Sequence, residues 1–152
     1  MTTSEIINPR FEKATEIQVK AFFADHAFHV ADDYVDFLVT YNGGTVRSSK
    51  LIAALTDETR DAQEFALREF YPFAEIQNLF LFYYNEFANS AVKEYQVIPI
   101  ATVMRSTMIC LGIGAENCGT IYSWNGTTDV RRIAESLTQF FNSVREDLNF
   151  GR

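Results

Sequence analysis

The chain has 152 residues, of which 47% are hydrophobic and 22% are charged; these values are typical of globular proteins and exclude a wholly disordered chain. The 20 Asp and Glu exceed the 13 Lys and Arg, so the formal net charge is −7. This excess disfavours direct binding to nucleic acid, which depends on clustered basic residues. The length predicts a single domain over residues 1–152, with a core from about residue 9 to 148.

The chain also lacks the features of exported and membrane proteins. Its first residues are polar or acidic (Thr2, Thr3, Ser4, Glu5), unlike the basic and apolar start of a signal peptide. No apolar run approaches the roughly 18 residues of a membrane span, and two cysteines are too few for a disulfide framework. We therefore expect a cytoplasmic protein with reduced thiols that does not contact a membrane.

Two helices are predicted in the N-terminal part of the chain. Asn8 and Pro9 suit a helix start, and apolar residues follow at helical spacing from Phe11 to Phe22. A second helix is predicted after a polar gap, capped by Asp32 or Asp33. It ends at Asn42-Gly43-Gly44, because glycine adopts the left-handed conformation of a helix terminus without a steric penalty.

The central part contains shorter elements. Residues 45–47 and 50–55 resemble short strands, and residues 56–62 form an acidic connection between elements. Residues 64–73 fit either a strand or a helix, because the periodicity of the apolar residues does not distinguish them. Residues 75–86 predict a short amphipathic helix.

The C-terminal third predicts three strands and a long helix. The strands cover residues 96–103, 107–113 and 119–124, with a hairpin turn at 112–117. The helix is capped by Asp129 and carries apolar residues from Val130 to Leu148. This order of elements predicts a single α+β domain, in which an antiparallel twisted sheet packs with N-terminal and C-terminal helices.

Motifs that would indicate catalysis or a cofactor are weak. Cys110 and Cys118 lack the four-ligand spacing of a zinc site, so we interpret them as small buried residues on neighbouring strands. His26 and His29 are interpreted as exposed loop residues. Gly112-x-Gly114 precedes a strand, which favours a turn over a phosphate-binding loop. We assign no catalytic residue, cofactor or metal, although 20 acidic residues leave hydrolysis by paired carboxylates open.

Several segments together resemble the SUKH superfamily of the Smi/Knr type. Residues 33–38 and 41–44 resemble its opening motif, and residues 98–101, 108–111, 119–124 and 133–140 resemble four later ones. The chain departs from the family pattern at Ala31, at residues 105–107 and at Gly126. The motif positions that we expect to be structural are Tyr34, Phe37, Leu38, Asn42, Gly43, Gly44, Pro99, Gly119 and Trp124.

The resemblance implies a compact α+β domain that works by binding. Bacterial members of the superfamily resemble immunity proteins, which neutralise a cognate toxin, often a nuclease. Fungal members resemble regulatory scaffolds, and this non-enzymatic regulatory function is the alternative. The surface with which a nuclease binds nucleic acid is basic, so it attracts an acidic protein. An enzyme remains a third class.

The candidate partner-binding residues are acidic or aromatic. Four acidic residues fall between positions 57 and 64, and others lie in or near predicted loops, beside the aromatic residues Tyr83, Tyr84, Phe87 and Tyr95. The competing interpretation is an ordinary solvated surface, with the aromatic residues in the core. The set is Asp57, Glu58, Asp61, Glu64, Tyr84, Glu86 and Glu94.

Overall fold

The computed structural model describes residues 1–82 and 91–147. Within these residues, helices flank an antiparallel sheet of nine strands, which confirms the predicted α+β class. The helices are α1 Thr3–Ile6, α2 Glu16–Asp25, α3 Asp32–Thr40, α4 Phe73–Leu81, α5 Ala91–Tyr95 and α6 Leu137–Asn142. The strands are β1 Ile7–Asn8, β2 Gly44–Val46, β3 Leu51–Thr56, β4 Ala62–Phe70, β5 Val97–Val103, β6 Met108–Gly112, β7 Ile121–Trp124, β8 Val130–Ala134 and β9 Val144–Glu146.

Strand β4 is the centre of the sheet. Its N-terminal half pairs with β3, where Ala53 faces Phe65, and its C-terminal end pairs with both β2 and β5. From β5 the sheet continues through β6 and β7 to β8, while β9 pairs with β3. Residues 64–73, for which the sequence allowed either a strand or a helix, are therefore mainly strand.

The main core lies between the sheet and the longer helices. Phe37 of α3, Phe70 of β4 and Phe141 of α6 pack together, with ring centroids 5.3–5.5 Å apart. Alternation along β6 places Ile109 in this core and Cys110 in a smaller cluster, because successive side chains of a strand point to opposite faces. The smaller cluster consists of Ala91, Val92, Val97, Cys110, Trp124 and Val130.

The prediction of a helix that starts at Asn8 and Pro9 is wrong. Asn8 belongs to β1, and α2 begins at Glu16. Thr15 determines this start, since its hydroxyl accepts a hydrogen bond from the Gln18 amide at 3.2 Å while the Gln18 side chain accepts one from the Thr15 amide at 3.3 Å. This reciprocal capping satisfies two amide groups that have no partner within the helix.

The predicted C-terminal helix is also wrong over most of its length. Residues that were expected to form it instead form β8, α6 and β9. The helix starts at Leu137 because the hydroxyl of Ser136 accepts a hydrogen bond from the Gln139 amide at 3.0 Å. Val130 pairs with Trp124 in the sheet instead of lying on a helix face. Leu148 lies outside the described residues.

The remaining elements agree closely with the predictions. The second helix, the strands at residues 45–47 and 50–55, and the three C-terminal strands are confirmed within one or two residues. The predicted cap of the second helix is wrong, because Asp32 and Asp33 are its first two residues and the N-cap is Ala31, which makes no side-chain hydrogen bond. The predicted amphipathic helix at 75–86 corresponds to α4, which starts two residues earlier after Pro72. Its predicted end falls on residues that the structure does not describe.

Candidate partner-binding surfaces

Asp57, the first of the predicted partner-binding residues, is buried. Its Oδ1 accepts hydrogen bonds from the amide and hydroxyl of Thr59, at 2.8 and 2.5 Å, and from the amide of Asp61 at 3.1 Å. Its Oδ2 accepts one from the Gln63 side chain at 3.1 Å. The carboxylate organises the turn between β3 and β4, and its side chain is 0% exposed. It is therefore not available to a partner in this conformation, contrary to our expectation.

Arg131 of β8 completes the surroundings of this carboxylate. Its Nη1 lies 3.2 Å from Asp57 Oδ2 and 3.8 Å from Asp61 Oδ2, and its Nε lies 3.1 Å from Asp129 Oδ1. The hydrogen bond from the Thr59 hydroxyl is the largest cause that lowers the pKa of Asp57, and the Asp61 amide, Arg131 and Gln63 lower it further against the opposing effect of burial. One arginine thus lies close to three carboxylates and neutralises part of their negative charge.

Glu58 also has a structural function. Its amide donates to the Arg132 carbonyl at 3.0 Å, and its carboxylate accepts from the Arg132 amide at 3.0 Å. These bonds satisfy polar groups on the outer edge of β8, which has β7 as its other neighbour. Exposed strand edges are prone to pairing with other chains. We call residues 57–61 the acidic turn. Its hydrogen bonds connect the hairpin of β3 and β4 to the edge strand β8.

The other predicted residues are distributed differently. Glu64 lies 3.3 Å from Arg145, with both side chains more than half exposed, so this ion pair contributes little to stability. Glu94 and Tyr95 are exposed at the end of α5. Tyr84 and Glu86 lie outside the described residues, as do Tyr83 and Phe87. The structure therefore does not bring the described members of the set together into one exposed acidic face.

A groove between α3 and α6 was not anticipated from the sequence. It has a volume of about 500 Å³. Its lining residues are Met1, Thr2, Thr3, Asp33, Asp36, Phe37, Thr40, Tyr41, Leu137, Thr138, Phe141 and Asn142. Asp33 Oδ2 accepts from the amide and hydroxyl of Thr138, at 3.1 and 3.2 Å. Its Oδ1 is buried and has no partner among the described residues.

The Asn-Gly-Gly motif, residues 42–44, connects the end of α3 with the start of α4 and with the segment before α2. Asn42 is buried with a φ of +53°; its side chain donates to the Glu12 carbonyl and accepts from the Phe73 amide, both at 2.7 Å. A Cβ at Gly43 would lie 2.5 Å from the Phe70 carbonyl oxygen, and one at Gly44 would lie 2.4 Å from that of Asn8. These contacts support a structural function for the three residues.

The other motif residues are structural too. Tyr34, Phe37 and Leu38 are buried in the main core. Pro99 is buried in β5 beside a register shift, where its missing amide is tolerated. The indole of Trp124 donates to the Thr127 carbonyl at 2.7 Å. Gly119 has a φ of +84° and approaches Ala31 so closely that a Cβ would lie 2.8 Å from the Ala31 side chain.

The prediction for the cysteines is half right. Cys110 is buried in β6, whereas Cys118 is exposed in the turn between β6 and β7. Partial burial, Asp32 and Asp33 raise the pKa of the Cys118 thiol. His26 and His29 are exposed, as expected. Over residues 1–82 and 91–147, no group of three or more potential ligands could hold a metal ion, and none of the helices there is long and apolar enough to span a membrane.

A model of a known protein family matches most of the chain. The model of the SMI1 / KNR4 family (SUKH-1) matches residues 13–143. This range runs from just before α2 to the end of α6 and includes all the motif residues named above. A search of curated proteins finds no significant match.

Proposed function

Because the chain belongs to the SMI1 / KNR4 family (SUKH-1), we propose that it is an immunity protein that binds a cognate protein toxin and blocks it without making or breaking a covalent bond. Family membership is the observation that carries this proposal. The net charge of −7 supports it further, since a toxin that acts on nucleic acid has a basic surface that attracts an acidic protein. The proposed location is the cytoplasm, where the toxin would act.

The mechanism that we propose is steric occlusion. A stable protein–protein interface buries about 1,600 Å² in total, or about 800 Å² on each partner. The chain has an accessible surface of 8305 Å², so an interface of that size occupies about a tenth of it. Long-range attraction raises the association rate, whereas buried aromatic or arginine contacts near the centre of the interface slow dissociation.

Two carboxylates of the acidic turn are poor candidates for general acid–base catalysis. A general acid or base needs a carboxylate that can exchange a proton with a substrate. Asp57 is held as an ion by bonds within the protein, and Glu58 is bonded to the backbone of β8. Both residues are thus used for structure.

The test uses the gene that lies immediately upstream of the one encoding this chain. We expect its product to form a complex with the chain, and co-expression of the chain to restore growth of cells that express it. Because the attraction between the two proteins is electrostatic, association should slow as salt is raised above about 0.1 M. No association at low salt together with no rescue of growth would refute the proposal.

Association without any effect on growth would instead support the regulatory alternative. The variant Glu116→Gln removes one negative charge from an exposed residue in the β6–β7 turn. It serves as a control for the effect of a single lost surface charge. It should form the complex as the wild type does.

A further inference from the structure

The groove between α3 and α6 differs from the acidic turn in the position of basic side chains. Arg131 lies close to three carboxylates around the acidic turn. The lining of the groove contains Asp33 and Asp36 but no lysine or arginine among the described residues. Lys20 of α2 interacts electrostatically with Asp36, but its ammonium group is paired with Glu16, with Nζ 2.7 Å from Glu16 Oε1. The groove therefore keeps negative charge that has no bonded cation.

The shape of the groove also suits a long side chain. Its apolar lining includes Phe37, Leu137 and Phe141, each no more than 6% exposed, and Asp33 and Asp36 lie one helical turn apart beside it. Its volume of about 500 Å³ falls within the range of pockets that bind ligands of moderate size. An apolar surface beside two carboxylates fits a side chain that has an apolar stem and a cationic end.

We propose that this groove receives an arginine side chain from the basic partner, with the guanidinium group on Asp33 and Asp36 and the stem against Phe37 and Phe141. This inference rests on the proposed function and names the surface that performs it. Arginine suits the site better than lysine because its planar group donates to two carboxylates at once and stacks on aromatic rings.

The direct test is an NMR titration of the ¹⁵N-labelled chain with the peptide acetyl-Gly-Arg-Gly-amide at low salt. We expect saturable shifts of the backbone amides of Asp36, Phe37 and Thr138. The same peptide with citrulline, which is neutral and nearly the same shape, should give no such shifts, and the lysine peptide should bind more weakly. Equal shifts with citrulline would overturn the proposal.

The variant Asp36→Asn tests the charge in the groove without disturbing the fold, because Asp36 is exposed. It should weaken binding of the arginine peptide by about fivefold, the effect of losing one exposed charge pair. The charge-matched control Glu116→Gln should bind as the wild type does. Unchanged binding by Asp36→Asn would overturn the assignment.

The full partner separates this inference from the proposed function. If Asp36→Asn and the double variant Asp33→Asn/Asp36→Asn neutralise the toxin with wild-type affinity, the groove is not the contact surface, although the chain is still an immunity protein. If the wild type binds the arginine peptide in the groove but rescues no toxin-expressing cells, the proposed function fails and the groove remains a site for arginine.

Discussion

Replacement of Asn42 by alanine should destabilise the fold far more than most replacements of an asparagine. The side chain holds the segment before α2 through the Glu12 carbonyl and the start of α4 through the Phe73 amide, both at 2.7 Å. The Phe73 amide is the first of α4, so no carbonyl within that helix accepts its hydrogen.

The expected cost has three parts. Leaving the buried Phe73 amide without an acceptor costs about 1–3 kcal/mol. Loss of the bond to Glu12 costs about 0.5 kcal/mol, because Glu12 is exposed and water replaces the donor. Alanine at a φ of +53° costs about 1 kcal/mol. Together these terms predict that Asn42→Ala lowers the free energy of unfolding by about 3 kcal/mol, or about 6–12 °C in Tm.

Urea denaturation measures this change, and the fluorescence of Trp124, which is buried and the only tryptophan, reports unfolding. Asn42→Gly should cost about 2 kcal/mol, since glycine accepts the positive φ but has no side chain to donate or accept. The control Asn78→Ala alters an exposed position of α4 and should change stability by less than about 0.5 kcal/mol. A similarly small effect of Asn42→Ala would refute the reasoning.

Three further predictions follow from buried or perturbed groups. The Tyr34 hydroxyl is buried and finds no hydrogen-bond partner in the described chain, so Tyr34→Phe should leave stability unchanged or raise it by up to about 1 kcal/mol; a loss of that size in urea denaturation would contradict this. The pKa of Asp57 is lower in the folded state than in the unfolded state, so its stabilisation is present above about pH 4 and is lost as the pH falls. The urea midpoint of Asp57→Asn should accordingly lie below that of the wild type at pH 7, with a gap that narrows toward pH 3, and a constant gap would argue against the ionised form. Cys118 should react with a disulfide reagent at higher pH than a free cysteine, because its pKa is raised, while Cys110 should react only after unfolding; two equally fast thiols would contradict the burial of Cys110.

Five strands (β2, β3, β5, β6 and β7) and α3 could be predicted from the sequence because their local signals agree with their environment. In α3 the apolar residues recur on one face, and the Asn-Gly-Gly motif follows at once. In β6 every residue after Met108 is buried, which gives the continuous apolar run of a strand covered on both faces. In these segments, tertiary contacts reinforce what the local sequence already favours.

The two wrong helix starts share a physical cause. Asn8-Pro9 and Asp129 each suit a helix start, but strands form at these places: Asn8 pairs with Thr45, and β8 begins directly after Asp129. The true starts carry stronger signals, Thr15 with Gln18 and Ser136 with Gln139, in the Ser/Thr-x-x-Gln spacing of a capping box. This spacing predicts both helix starts, at Thr15 and at Ser136.

The candidate site was harder to predict because closeness in sequence is a poor guide to unpaired charge. The acidic residues of the acidic turn are neighbours along the chain, yet they meet Arg131, which lies 74 residues from Asp57. Asp33 and Thr138 are 105 residues apart, and the groove that they help to form exists only because α6 packs beside α3. A run of acidic residues in a turn must be stabilised by donors or cations if the turn is ordered, so it tends to be neutralised within the fold. In the groove Asp33 is bonded to Thr138, whereas Asp36 is exposed on the surface of α3, so the charge of Asp36 remains available to another protein.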